Sequence, residues 1–315
     1  MAKRMMFIAI IASLIALVVI GTLVLRPKPL SAEAVGALYA TPLPAPEGPI
    51  GVYHLGHSLV GRDMPAMLAQ LAPAGHRYDS QLGWGTSLRE HWEPDLAING
   101  FDAENAHPRY RDARAAIASG EYDAVVLTEM VEIKDAISYH DSTKYLGKWA
   151  DLARSAKPAP RVYLYETWHP LDDADGWLTR LDNDLANQWE AQILLPNLKA
   201  GAPPIYLIPA GQVMAALVRA VETQDGVGPM HTREDLFQRR EDGTLDQIHV
   251  NDLGAYLVAL THYAVLYGRS PVGLPYDLTR ADGSAADSPG ADLAAVMQAT
   301  VWRVVTSMPK TGVAP

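Results

Sequence analysis

The period of the apolar positions switches repeatedly along most of the chain. Residues 50–55 form a short, mostly apolar run, the pattern of a buried strand. Met64, Met67, Leu68 and Leu71 then recur at helical spacing, with Asp63 placed to act as N-cap. The alternation continues. Strands are predicted at 76–82, 123–128, 161–166 and 204–209. Helices are predicted at 109–119, 142–156, 178–198, 211–222, 252–267 and 290–307. Gly120 and Gly268 stand where helices stop, and Asn251 stands as N-cap of the long apolar helix at 252–267. Short strands alternating with helices predict a parallel sheet covered on both faces. No internal repeat interrupts the pattern.

The first 49 residues read differently. Lys3 and Arg4 precede residues 5–25, an uncharged apolar run. At about 1.5 Å per residue such a helix spans about 30 Å, the thickness of a bilayer core. The run exceeds the usual h-region of a signal peptide, and no convincing small-x-small cleavage site follows closely. It reads as an uncleaved signal anchor, a transmembrane segment, with a cleaved signal peptide as the alternative. Lys3 and Arg4 are nearly balanced by Arg26 and Lys28, so the flanking charges specify orientation weakly. Export of the following domain, to a periplasmic or extracellular location, is the expectation. Residues 26–49 are rich in Pro and Ala and read as a linker. The folded domain is expected at 50–310.

Composition narrows the chemistry. The 315 residues carry a formal net charge of −10, with no basic run beyond the first few positions. A phosphate backbone needs a basic footprint, so nucleic acid is not an expected partner. The absence of cysteine excludes disulfides, thiol nucleophiles and cysteine-ligated zinc. His140, Asp141, His169 and His231 lack the spacing of metal ligands, and no metal or cofactor is expected. The oligomeric state is not legible.

Sites in parallel sheets lie beyond the carboxyl ends of the strands, so the informative residues are those that follow each strand. Ser58 follows the first, between strand and helix. Taken alone it reads first as a helix cap, with a nucleophile near free backbone N–H groups as the alternative. Gly83 and Gly85 follow the second, where a backbone N–H could face the same crevice. Ser87 is a rival nucleophile without the tight strand–turn–helix context. Thr128 and Glu129 follow the third strand as a polar pair. Trp168 and His169 follow the fourth, at the expected crevice mouth, where an aromatic ring suits a sugar face. Late in the chain Asp246 and His249 stand three apart. That spacing lets a carboxylate orient an imidazole whose other nitrogen faces a serine.

The order of these features resembles the SGNH (GDSL-type) hydrolase superfamily over roughly residues 50–270. Gly56-His57-Ser58-Leu59 is similar to its Gly-Asp-Ser-Leu block. Gly85, with Gly83 as runner-up, matches its second-block glycine. Asp246-x-x-His249 matches its last block. The resemblance implies a three-layer α/β/α, flavodoxin-like sandwich and a serine esterase using Ser58, His249 and Asp246, without a cofactor. The oxyanion would be held by Ser58, Gly85 and Thr128. The implied substrate is a small acyl ester, often acetyl on a carbohydrate, with His57, Glu129 and Trp168 as candidate substrate contacts. Two alternatives remain open: an O-acetyltransferase using the same triad, and a non-catalytic binding protein on the same fold. Two departures stand out. His57 replaces the family aspartate, and Thr128-Glu129 replaces the third block, whose asparagine donates to the oxyanion.

Overall fold

The computed structural model describes residues 29–314. The membrane-anchor expectation for residues 5–25 lies outside them. Among the described residues no helix is long and apolar enough to cross a membrane.

The predicted parallel sheet is present. Strands β1 (Gly51–His57), β2 (Arg77–Gly83), β3 (Ala124–Thr128), β4 (Arg161–Glu166) and β5 (Ile205–Pro209) pair in the order β2-β1-β3-β4-β5. This is the strand order of flavodoxin-like sheets. The chain steps outward from β1 to β2, then crosses back to β3 on the other side of β1. That reversal opens a crevice beyond the carboxyl ends of β1 and β3, where Ser58 and Glu129 follow their strands.

Each strand buries side chains on both faces, so each face needs its own helical layer. Helices are numbered along the chain. On one face, Val52, Val126, Tyr163, Tyr165 and Ile208 pack with α2 (Asp63–Leu71), α9 (Ala210–Glu222), α10 (Asp252–Tyr267) and α11 (Gly290–Ser307). On the other, Tyr53, Leu55, Val125, Leu127 and Leu164 pack with α5 (Ala113–Ala118) and α7 (Ser142–Ser155). Every residue of α10 is buried, which explains why its sequence is apolar all round rather than striped. Asn251 caps α10 as expected, accepting the amides of Leu253 and Gly254, and Gly268 ends it in the left-handed region. Shorter helices fill the connections: α3 (Leu88–Trp92), α4 (Phe101–Asn105), α6 (Ile133–Tyr139) and α8 (Trp177–Asp184).

Four expectations change. The stretch read as a linker carries helix α1 (Ala32–Leu38) and is tied to the domain. The buried Tyr39 hydroxyl donates to the Ile205 carbonyl, and the Leu43 amide donates to Gly312. Asp63 is not the cap of α2: Arg62 holds that position, and the Asp63 carboxylate accepts the Ala281 amide instead. The helix expected at 178–198 splits, α8 giving way to a π-helix at Leu185–Leu194. Finally, a second sheet was not anticipated. Strands β6 (Phe237–Arg239) and β7 (Leu245–Val250) form an antiparallel ribbon, and it carries Asp246 and His249.

Candidate functional site

The chain leaves β1 through a turn at 58–60, and neutral side chains hold that turn from below. The His57 ring accepts the Leu59 amide at Nδ1 (3.3 Å) and faces the Glu129 carbonyl with Nε2 (2.8 Å). That pair of partners assigns the proton to Nε2, as a neutral ring requires. Full burial pushes its pKa down to about 4, so the ring stays neutral. His91 donates from Nε2 to the Gly56 carbonyl (2.7 Å) and accepts from Gln81 at Nδ1 (3.0 Å). Tyr165 donates its hydroxyl to the Leu59 carbonyl (3.2 Å). With its backbone pinned on several sides, Ser58 emerges into the crevice in a fixed position.

Asp246 and His249 come from the β6–β7 ribbon. On a regular strand an i, i+3 pair would point to opposite faces. Here the ladder pairs Phe237 with Val250 and Arg239 with Leu245, so residues 246–249 form a bulge opposite Gln238. The Asp246 carboxylate shapes that bulge by accepting the amides of Ile248 (2.9 Å) and His249 (3.0 Å) through Oδ1. Burial alone would raise its pKa. The two amides and the imidazole outweigh it and hold the carboxyl at about 2.

The bulge turns His249 across the crevice. Its Nδ1 lies 3.1 Å from Asp246 Oδ2, and its Nε2 lies 3.0 Å from Ser58 Oγ. The carboxylate assigns the ring proton to Nδ1, which leaves Nε2 free to accept the Ser58 proton. Ser58, His249 and Asp246 are therefore brought together in the arrangement their sequence order suggested. Among the described residues, the Ser58 and Gly85 amides have no internal acceptor. The two amides lie at the carboxyl ends of adjacent strands, since His57 and Gly83 are register partners. Gly85 is exposed, holds a φ of +56° and has open space where a side chain would stand. Gly83 is buried, and a β-carbon there would meet the side chains of Thr86 and Ile98.

Other expected contacts turn inward. Thr128 is fully buried against Gly56, and its hydroxyl does not reach the crevice. Glu129 is fully buried too. Its Oε1 accepts the Leu88 amide (3.2 Å), at the first residue of α3, and the Met130 amide (2.8 Å). Desolvation is the largest effect on this carboxyl and raises its pKa to about 7. The Ser142 hydroxyl faces it but falls short of hydrogen-bond geometry. Glu129 thus braces the loop that carries Gly85 and is not a substrate contact. His57 is not one either, because the Leu59 amide and the Glu129 carbonyl use both of its nitrogens. Trp168 is buried rather than at the mouth, and its indole donates to the Ile248 carbonyl (2.8 Å). Its neighbour His169 is buried 3.4 Å from Asp184. Ser87 caps α3 in a box with Glu90 and is buried, although His140 Nδ1 lies 3.2 Å from its hydroxyl. Among the described residues, no group of three or more His, Cys, Asp or Glu converges on a metal position.

A polar cavity of about 810 Å³ opens beside Ser58, lined in part by Arg62, Tyr78, Glu104, Arg109 and Arg280. None of those residues follows a strand in sequence: Tyr78 lies near the start of β2, Glu104 on α4, Arg62 at the cap of α2, and Arg109 and Arg280 in loops. Trp84 was missed as well. It follows β2 within Gly-Trp-Gly and is 55% exposed. A large aromatic between two glycines at a strand end was the available signal.

No family model, curated protein or solved structure matches this chain.

Proposed function

We propose that this chain is a serine esterase of the SGNH type, hydrolysing a small acyl ester, in the first instance acetyl. One observation carries the reading: the relay from Asp246 through His249 to Ser58, with polar separations of 3.1 and 3.0 Å, at the crevice of a parallel sheet. The likeness of Gly56-His57-Ser58-Leu59, Gly85 and Asp246-x-x-His249 to the family blocks supports it. In this reading the flavodoxin-like sheet is that of an SGNH hydrolase.

The chemistry follows from the geometry. His249 Nε2 accepts the Ser58 proton as Oγ attacks the ester carbonyl. The Ser58 and Gly85 amides donate to the developing oxyanion. Collapse of the tetrahedral adduct breaks the bond to the alcohol, which takes the proton from His249. Water, deprotonated by His249, then attacks the acyl-enzyme, and collapse returns the proton to Ser58 and frees the acid. The sequence reading of residues 5–25 adds a membrane tether with the domain exported.

One observation favours a second reading, a non-catalytic binding protein. Glu129 stands where the family asparagine would donate, and Thr128 is turned away. The hole then has only backbone donors. The esterase reading expects hydrolysis of p-nitrophenyl acetate and covalent labelling by a serine-reactive phosphonate, both lost in Ser58→Ala. No turnover and no labelling of the folded wild-type domain would favour the binding protein. Acetyl appearing on an oligosaccharide acceptor rather than in water would identify a transferase.

A further inference from the structure

The cavity beside Ser58 has an uneven use of its charges. Its carboxylates are engaged by the protein. Asp63 accepts the Ala281 amide (2.9 Å), Glu104 accepts the Trp84 indole (2.7 Å), and Asp282 accepts the Ser284 amide (2.8 Å). Arg280 is neutralised by Asp252, with Nε donating to Oδ1 at 3.0 Å. The other two arginines are not paired in this way. Arg62 donates to the Ala103 carbonyl, and Arg109 lies over the Tyr78 ring at 4.9 Å. Neither guanidinium has a carboxylate partner among the described residues. Both are exposed at the cavity, in a protein with a net charge of −10. An arginine fork left open at a concave site is suited to a planar anion.

Trp84 adds an independent observation. It is the residue after Gly83, as Ser58 is the residue after His57, and those two precursors are register partners on adjacent strands. The indole is fixed rather than loose. Its Nε1 is held by Glu104, itself a wall of the cavity, and its ring lies so close to Gly100 that a β-carbon there would come within 2.2 Å of it. The side chain nevertheless stays 55% exposed. A rigid, open aromatic face is a stacking surface for a sugar ring, offered at little further entropic loss.

We propose that the Ser58 site takes its ester on an acidic sugar, with the Trp84 indole under a sugar ring and Arg62 and Arg109 on the anionic group. This rests on the esterase reading for its reaction, but the binding preference stands by itself. The test compares an acetylated uronic-acid trisaccharide, an acetylated neutral trisaccharide and p-nitrophenyl acetate. A sulfated neutral trisaccharide separates carboxylate recognition from recognition of any anion. The expected kcat/KM is about tenfold higher on the uronide than on the neutral sugar, the scale of one charge-assisted contact, and the ratio falls with added salt. R62Q and R109Q each lower that ratio. W84A raises KM on both sugars relative to p-nitrophenyl acetate.

In parallel, calorimetry with S58A measures binding of the deacetylated uronide and neutral trisaccharides, so the preference is read without turnover. Hydrolysis of p-nitrophenyl acetate with equal handling of the two sugars overturns the inference and leaves the esterase reading standing. So does a uronide preference that R62Q and R109Q leave intact. Selective uronide binding without turnover of any ester supports the inference and overturns the esterase reading.

Discussion

Ser58 leaves a strand at the interior of a five-stranded parallel sheet, whereas His249 stands in the bulge of a two-stranded ribbon. Beneath Ser58, His57, His91 and Tyr165 are buried and hold the turn through its carbonyls and an amide. Around His249 the supports are local: the Asp246 carboxylate and, from the segment after β4, the Trp168 indole on the Ile248 carbonyl and the Leu171 amide on the Gln247 carbonyl (2.8 Å). The His249 side chain is itself 38% exposed. One half of the relay is thus set by the core of the fold, the other by a local carboxylate and two donors from the segment after β4. Changes on the Ser58 side should register mainly as stability, and changes on the His249 side mainly as rate.

The largest expected effect is on the ribbon side. In Asp246→Asn the amide oxygen can still accept the Ile248 and His249 amides, so the bulge survives. The amide nitrogen, however, cannot accept from Nδ1–H and favours the tautomer with the proton on Nε2. That proton blocks acceptance from Ser58, and kcat should fall by about 10⁴-fold on the precedent of the triad. Stopped assays on p-nitrophenyl acetate, with a melting curve as control, check it. Near-normal kcat in the folded variant would show that Asp246 shapes the bulge and nothing more.

His91→Phe removes a donor from the Gly56 carbonyl and strands the buried Gln81 amide, so a loss of about 2 kcal/mol is expected in chemical denaturation. Wild-type His91 also has a pH signature. Its folded pKa, near 4, lies below the ordinary 6.5, so the unfolded chain binds the extra proton first. The stability it lends is full above pH 6.5 and is lost as pH falls towards 4. The variant should lack that part of the acid sensitivity.

Glu129 carries the opposite sign. Its folded pKa, near 7, lies above the ordinary 4.5, so its stabilising effect is full below pH 4.5 and is lost as pH rises through 7. Glu129→Gln keeps an acceptor for the Leu88 and Met130 amides and removes the ionisation. It should be more stable than wild type at pH 8 by up to about 3 kcal/mol, with the gap closing towards pH 4.5. Urea unfolding at the two pH values decides it. An unchanged gap would mean that the carboxyl titrates normally despite its burial.

Much of the sheet and its helices was legible because burial on both faces writes apolar runs, and caps such as Asn251 write polar ones. Ser58, Asp246 and His249 were legible by order and spacing. The misplaced strand-end side chains share one cause. A polar or aromatic residue after a strand has two places to go, outward to the crevice or inward to an unsatisfied backbone group. Sequence pattern alone does not show which backbone groups lack partners. Glu129 went to the Leu88 amide, His57 to its own turn and Trp168 to the Ile248 carbonyl. Trp84 took the reverse course: Glu104 holds its indole Nε1, its ring lies on Gly100, and the residue stays exposed. The ribbon escaped notice because its pairing is short and bulged, leaving little alternation to read.

Trp168 gives the smallest effect and the closest test of the contrast. The indole lies in the core, so the division between stability and rate would ordinarily assign it to stability. Its one polar bond, however, goes to the carbonyl immediately before His249. Trp168→Phe keeps most of the apolar volume and removes only that donor, at a stability loss of about 1 kcal/mol. If the ribbon depends on this bond to hold the imidazole over Ser58, kcat should fall by about tenfold, since small misplacements of a catalytic group are amplified in rate. KM should change little, because Trp168 does not line the cavity. A fall in melting temperature with kcat intact would make Trp168 ordinary core packing and leave the Asp246 carboxylate and the Leu171 amide to position His249.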